Sequence, residues 1–248
     1  MSGFGRQASG AERRASGVGG NQRRQAAIID ILNEFARPEL LGIVGLTLRV
    51  TGVALVIATV AGVPLGAWLG LIRFRGQRVV TLALYTGMGL PPVVVGLVVY
   101  MLLSRSGPLG SLGWLFTPAA MIVAQAIIAF PLVAGLTMSA VAGVDRAVRE
   151  QVVALGASNR RVGWTVLGEA RVGVTAAIVA AFGAIISEVG AVMLVGGNIE
   201  GRTRVLTTAI VLDTRQGDFA LAMALGIALV ALACAANALL LQLQGRPR

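Results

Sequence analysis

Five stretches of this chain are long enough and free enough of charge to cross a lipid bilayer, and no other feature of the sequence constrains its fold as tightly. Between Arg49 and Arg73 lie 23 uncharged residues (50–72), which as a helix reach about 34 Å against a hydrocarbon core of about 30 Å. Residues 79–104 form a second span, interrupted by Pro91 and Pro92, whose freed backbone groups neighbouring helices must satisfy. Between Arg105 and Asp145 lie 39 uncharged residues, too many for one helix. The turn formers Ser106, Gly107, Pro108, Gly110, Ser111 and Gly113 assign the first part to a loop, so the third span covers 118–144. Residues 172–199 carry a single charge, Glu188, and residues 219–243 carry none. The expected fold is an all-α polytopic membrane protein with five transmembrane helices.

Composition agrees. Apolar residues make up 56% of the chain and charged residues 13%, about half the usual share, so a soluble core could not hide this much apolar surface behind so few charges. The chain has no histidine, and all 21 basic residues are arginine. Without imidazole there is no His-dependent catalytic or zinc arrangement, and without lysine no Walker phosphate loop and no Schiff base. No catalytic residues, metal site or cofactor are expected, and a membrane enzyme lacks the paired groups its chemistry would need. The lone Cys234 sits in an apolar run and reads as a packing residue. The net charge of +10 is spread in short arginine clusters between spans, a pattern that suits anionic lipid and cytoplasmic partners and gives no sign of nucleic acid.

Arginine placement sets the expected orientation. Arg73, Arg75 and Arg78 join spans one and two, five arginines join spans three and four, and Arg246 and Arg248 follow span five. These share one side, which is therefore cytoplasmic, together with the C-terminal tail 244–248. Residues 1–27 read as a basic, disordered tail. Residues 28–48, with Asp30, Glu34, Arg37 and Glu39 and with Pro38 in the middle, read as a membrane-surface helix, the alternative being a poor sixth span. Gly62, Gly66 and Gly70 recur every four residues in the first span and form a flat strip for close helix packing, within the subunit or between subunits.

The interval 145–171 is the longest polar segment between spans. Val148, Val152 and Leu155 share a helical face while Arg146, Arg149 and Glu150 lie on the others; Gly156 ends that helix, and Ser158 is placed to cap a second one running through Arg160 and Arg161. Two short helices joined at a glycine make a rigid protrusion.

Glu150, Gly156 six residues later and Val166 ten residues after that resemble the EAA signature of membrane subunits of ABC importers, with Gln151 and Val152 in place of the two alanines and Gly168-Glu169 in place of Leu-Pro. Further likeness lies in Gly89-Leu90-Pro91-Pro92-Val93-Val94-Val95-Gly96, Leu115-Phe116-Thr117-Pro118, Ser187-Glu188-Val189-Gly190-Ala191-Val192-Met193, Gly196-Gly197-Asn198-Ile199 and Arg204-Val205-Leu206-Thr207-Thr208-Ala209-Ile210. These resemble the tungstate branch of the oxyanion importers, over about residues 40–243, with Ala184 where many relatives have arginine. The resemblance implies a homodimeric permease in the cytoplasmic membrane, an ATPase on a separate chain that binds the ATP, and an extracytoplasmic anion-binding protein. It implies that Glu150, Gly156, Ala157, Ser158, Arg160 and Arg161 form the coupling contact with the ATPase. Tungstate is the expected cargo, molybdate or sulfate the alternative.

A different class, an ion channel or proton-coupled carrier, would use Glu188 as its titrating group. An intramembrane acid needs a partner, and Gln125 and Arg49 are the candidates by depth. Glu188, Gln125, Ser187 and Asn198 are the expected pathway or gate residues, and Gly62, Gly66, Gly70, Pro91 and Pro92 the helix-packing ones.

Overall fold

The computed structural model describes residues 38–243, which are helical with no strand among the described residues. In chain order the helices are α1 (Pro38–Leu71), α2 (Gln77–Gly89), α3 (Pro92–Leu103), α4 (Pro118–Ala142), α5 (Arg146–Ala154), α6 (Asn159–Glu169), α7 (Arg171–Ile186), α8 (Gly190–Gly196), α9 (Leu206–Gln216) and α10 (Phe219–Leu243), with one 3-10 turn at Gly110–Leu112. Three helices, α1, α4 and α10, are individually long and apolar enough to cross a membrane. Two bent pairs, α2–α3 at 100° and α6–α7 at 64°, raise the number to as many as five if each pair is one span.

Helices α4 and α10 lie over the stretches expected for spans three and five, and three other stretches are built differently from the expectation. The first span does not begin at Arg49: α1 runs for 34 residues from Pro38, about 51 Å, so residues 38–48 belong to it and form no separate surface helix. Pro38 sits at the first helical position, where its missing N–H costs nothing. What holds this portion is tertiary contact: Leu40 packs in a cluster with Leu206, Ala209, Ala224 and Leu225, and Thr47 Oγ1 accepts a 3.0 Å hydrogen bond from Leu206 N. Arg49 is exposed on the helix surface and does not interrupt it. The second span is two helices, because Leu90 is forced into extended backbone before Pro91, and neither proline can donate to the turn behind it. The fourth span, expected over 172–199, stops as α7 at Ile186, breaks over 187–189 and restarts as the short α8. Residues 28–37 of the expected surface helix, the tail 1–27 and the tail 244–248 lie outside the described residues.

Helix α4 is the centre of the bundle, with α1, α7, α2, α8 and α3 all packed on it. The glycine strip faces α4 within the chain. A Cβ at Gly62 would stand 3.0 Å from Val133 Cγ1, one at Gly70 2.8 Å from Met138 O, and one at Gly66 would run into Ala134 O. Backbones this close exclude any side chain larger than hydrogen, which is why a four-residue glycine period lies on this face. At one end of the bundle α10 packs on α9, and at the other α5 and α6 project beyond α4.

Candidate functional site

Sequence motifs scattered over a hundred residues meet at the end of the bundle opposite α5 and α6. The α3 motif lies against the α8 motif through two glycines: a Cβ on Gly96 would meet the Ala191 backbone, and one on Gly190 would meet Val93 Cγ2. Phe116, from the loop before α4, donates its N–H to Val195 O at 2.9 Å, and its ring lies where a Cβ on Gly197 would fall. Gly197 and Asn198 both take left-handed backbone, at φ 73° and 50°, so the chain turns sharply at the end of α8. Glycine and asparagine are the residues that tolerate this conformation. Thr203 Oγ1 donates to Gly196 O at 2.6 Å and accepts from Ile199 N at 2.9 Å, closing that turn, while Thr207 Oγ1 donates to Glu188 O at 3.0 Å.

The break between α7 and α8 is the core of this assembly. Helix α7 ends with carbonyls that have no helical partner, and side chains supply them. Gln125 Nε2 donates to Ile185 O at 3.0 Å from its buried position on α4, and Ser187 Oγ donates to Gly183 O at 2.8 Å. Glu188 Oε1 accepts from Ala191 N at 2.8 Å, so its carboxylate caps the start of α8. The expected partners of Glu188 are thereby corrected. Gln125 reaches the same break but bonds Ile185 three residues earlier, and Arg49 is exposed on α1 with no hydrogen bond or ion pair among the described residues. The backbone N–H is the cheaper partner because the carboxylate lies beside the helix start already, with no long side chain to immobilise. Two acceptor atoms in the candidate set, Gln125 Oε1 and Asn198 Oδ1, are buried with no hydrogen-bond partner among the described residues.

At the other end the polar segment folds as an elbow. Asp145 caps α5 by accepting from Ala147 N at 2.9 Å, and Glu150 pairs with Arg146 at 2.8 Å on the exposed surface. Gly156 takes φ 77°, the left-handed turn expected of it, and Ser158 is the residue preceding α6, although its hydroxyl makes no capping bond. Val166, the apolar residue of the motif, is buried with Ala67, Val141 and Val162, which fixes α6 to the ends of α1 and α4. The expected apolar face of α5 divides: Val148 and Val152 are half-buried, but Leu155, where the helix stops, is 86% exposed. Val153 at 55% on α5 and Trp164 at 66% on α6 are also exposed, and Arg160 and Arg161 lie on the open surface of α6.

Two contacts that sequence reasoning missed tie the elbow and the start of α2 to the end of α1. Arg149 Nη2 donates to Leu71 O at 3.2 Å and Gln77 Nε2 donates to Leu69 O at 2.9 Å, so both cap the last turn of α1. A basic residue is favoured at a helix C-terminus, but the one that acts here comes from 78 positions along the chain, which no local pattern announces.

This arrangement has the fold of a chain of a bacterial ABC transporter. The crystal structure of a bacterial ABC transporter involved in import of the acidic polysaccharide alginate aligns over 88% of this chain and 82% of that one, with a TM-score of 0.71 at 18% identity. The chain belongs to the family of binding-protein-dependent transport system inner membrane components, which matches residues 62–247. It is similar to the tungstate uptake system permease protein TupB of Peptoclostridium acidaminophilum, at 41% identity over 218 residues, 88% of this chain and 95% of that protein. It is also similar to a probable anion ABC transporter permease protein of Haloferax volcanii, at 43% identity over 205 residues, 81% of this chain and 88% of that one. As a family member it is a multi-pass inner-membrane permease subunit of an ABC importer.

Proposed function

We propose that this chain is the permease of a tungstate importer, working as a homodimer with an ATPase on a separate chain and an anion-binding protein on the far side of the membrane. The observation that carries the reading is the elbow. Leu155 and Val153 are exposed next to the Gly156 turn and Trp164 is exposed on α6, on a segment that carries Arg146, Arg149, Glu150, Arg160 and Arg161 and is anchored to the bundle by Val166 and Arg149. Exposed apolar groups on a rigid, charged protrusion suit a protein partner. That partner is the ATPase, which binds and hydrolyses ATP, and Glu150, Gly156, Ala157, Ser158, Arg160 and Arg161 frame the contact. The elbow end is then cytoplasmic, as is the C-terminus.

Tungstate as cargo is supported by the likeness to a tungstate uptake permease over most of both chains. At the opposite end, Glu188, Gln125 and Ser187 meet at the α7–α8 break and Asn198 sits in the turn that ends α8, and we assign this region to the outer gate. A carboxylate there repels a dianion and is already bound to Ala191 N, so Glu188 acts as a latch that shapes the gate, and the anion itself does not bind it.

The test is uptake by cells expressing the complete transporter. Labelled tungstate should accumulate, with excess molybdate and sulfate competing weakly; equal competition by sulfate would remove the cargo assignment. A reporter fused after Arg248 should be active only in the cytoplasm and one at Gly201 only outside, and the reverse would overturn the orientation.

A further inference from the structure

Where α1, α2, α4 and α5 meet, the bundle opens into a cleft of about 520 Å³. Its rim carries Arg73, Arg146 and Arg149, and the same three arginines line an adjoining hollow along α5. Met138, Val141 and Val166 form an apolar floor, and Thr81 and Tyr85 of α2 stand along one wall. Against three arginines the cleft has one carboxylate, Asp145, and that group is held by Ala147 N at 2.9 Å.

The donors are only partly used. Arg146 gives Nε to Glu150, Arg149 gives one Nη2 hydrogen to Leu71 O, and Arg73 makes no hydrogen bond or ion pair among the described residues. The carbonyls at the end of α1 would repel an anion, but Leu69 O and Leu71 O are each already bonded to a donor, which offsets that end of the helix dipole. Arg149 is also held in place by this bond, so less side-chain freedom is lost when its remaining N–H groups engage a ligand. Arginine forks match tetrahedral oxyanions in geometry as well as charge.

We propose that this cleft is a binding site for a tetrahedral oxyanion of the phosphate type, held by Arg73 and Arg149 with Arg146 at the rim. Arg73 lies two residues beyond the last residue of α1, at the depth where a long apolar helix leaves the hydrocarbon for the headgroups. Two sources present this chemistry at that depth: the phosphate of an anionic phospholipid and a free inorganic oxyanion. The apolar floor would accept the glycerol and first methylenes of a lipid. The site is independent of the cargo assignment, because it requires only that the elbow end lie at an aqueous membrane surface.

The experiment uses the full-length chain, wild type and Arg73→Gln, with Arg105→Gln at the other end of the bundle as the control for loss of one charge. In the lipid arm, each protein is reconstituted in nanodiscs containing equal phosphatidylglycerol and phosphatidylcholine, and retained lipid is counted by native mass spectrometry. In the ion arm, delipidated protein is dialysed against radiolabelled inorganic phosphate at low salt. The expected result is phosphatidylglycerol retained over phosphatidylcholine by wild type and Arg105→Gln, with the preference reduced about tenfold or more in Arg73→Gln. Arg73-dependent binding of phosphate alone would also support the site and assign it to a free ion. Binding reduced equally by Arg73→Gln and Arg105→Gln, or Arg73-independent in both arms, would overturn it. Arg73 has no bonded partner within the described residues, so its replacement leaves the fold intact, and Arg73→Lys should restore part of the binding.

Discussion

The seam between α1 and α4 offers a quantitative test of how this bundle is held. In Gly66→Ala the new methyl would run into Ala134 O and lie 2.8 Å from Thr137 Cβ and 3.0 Å from Met138 N. Two of these three neighbours are backbone atoms, which no rotamer change can move aside. Comfortable carbon contacts lie at about 3.5–4.0 Å, so the helices must part by about 1 Å, and a gap of that size forfeits a quarter to a half of each dispersion well along the seam. Overpacking of this kind costs about 1–3 kcal/mol, and a clash with backbone belongs at the upper end. Gly45→Ala is the control, because Gly45 is on the same helix with nothing within 4 Å of its added methyl. Both substitutions gain the same helix propensity, about 0.8–1 kcal/mol, so the difference between them isolates the seam. On a scale of about 2–4 °C per kcal/mol for chains of this size, a cost of about 2–3 kcal/mol should melt Gly66→Ala roughly 4–12 °C below Gly45→Ala. The assay is thermal unfolding of purified protein in mild detergent, followed by circular dichroism and by the fluorescence of Trp68, two residues from the substitution and in ring contact with Phe74 at 4.9 Å. Equal melting temperatures would refute the close α1–α4 packing on which the whole architecture rests.

Two other outcomes follow from the same geometry. Gly156→Val places a β-branched residue at φ 77°, at a cost of at least about 1–2 kcal/mol, and should leave the assembled spans intact while uptake is lost and ATP hydrolysis no longer responds to the loaded binding protein; full uptake would remove the elbow's coupling role. Glu188→Gln keeps an oxygen for Ala191 N and should assemble and melt like the parent, whereas Glu188→Ala uncaps α8 and should lose about 0.5–2 kcal/mol, and equal melting of the two would show that the cap contributes nothing.

Much of the fold was legible because it rests on local energetics. A run of apolar residues long enough to cross a bilayer must be helical there, since unpaired backbone in lipid is prohibitive, so α4 and α10 fall where the charges leave room for them. The Pro91-Pro92 break and the Gly156 turn were equally local, because each follows from what one residue type does to its own backbone. The glycine strip announced a close approach, although its partner was open between this chain and another copy. Of the candidate site residues, the sequence indicated that Glu188 needed a partner and offered Gln125 by depth; the two come to the same α7–α8 break but bond different backbone groups.

Only the tertiary structure decided the rest, and in each case the deciding contact spans a long stretch of chain. Arg49 looked like the edge of a span, yet α1 starts at Pro38 and runs through Arg49, with Thr47 bonded to a residue 159 positions away and Leu40 buried against α9 and α10. Arg149 looked like one arginine among many until its reach to Leu71 O appeared, 78 positions back. Glu188 was read as a mid-span charge seeking a charged or amide partner, but α7 stops at Ile186, α8 restarts packed on α3 at Gly96 and Gly190, and the Ala191 N–H lies beside the carboxylate. Hydropathy and backbone preference act within a few residues and can be read along the chain, whereas the partner of a given polar atom depends on which helices come to lie side by side.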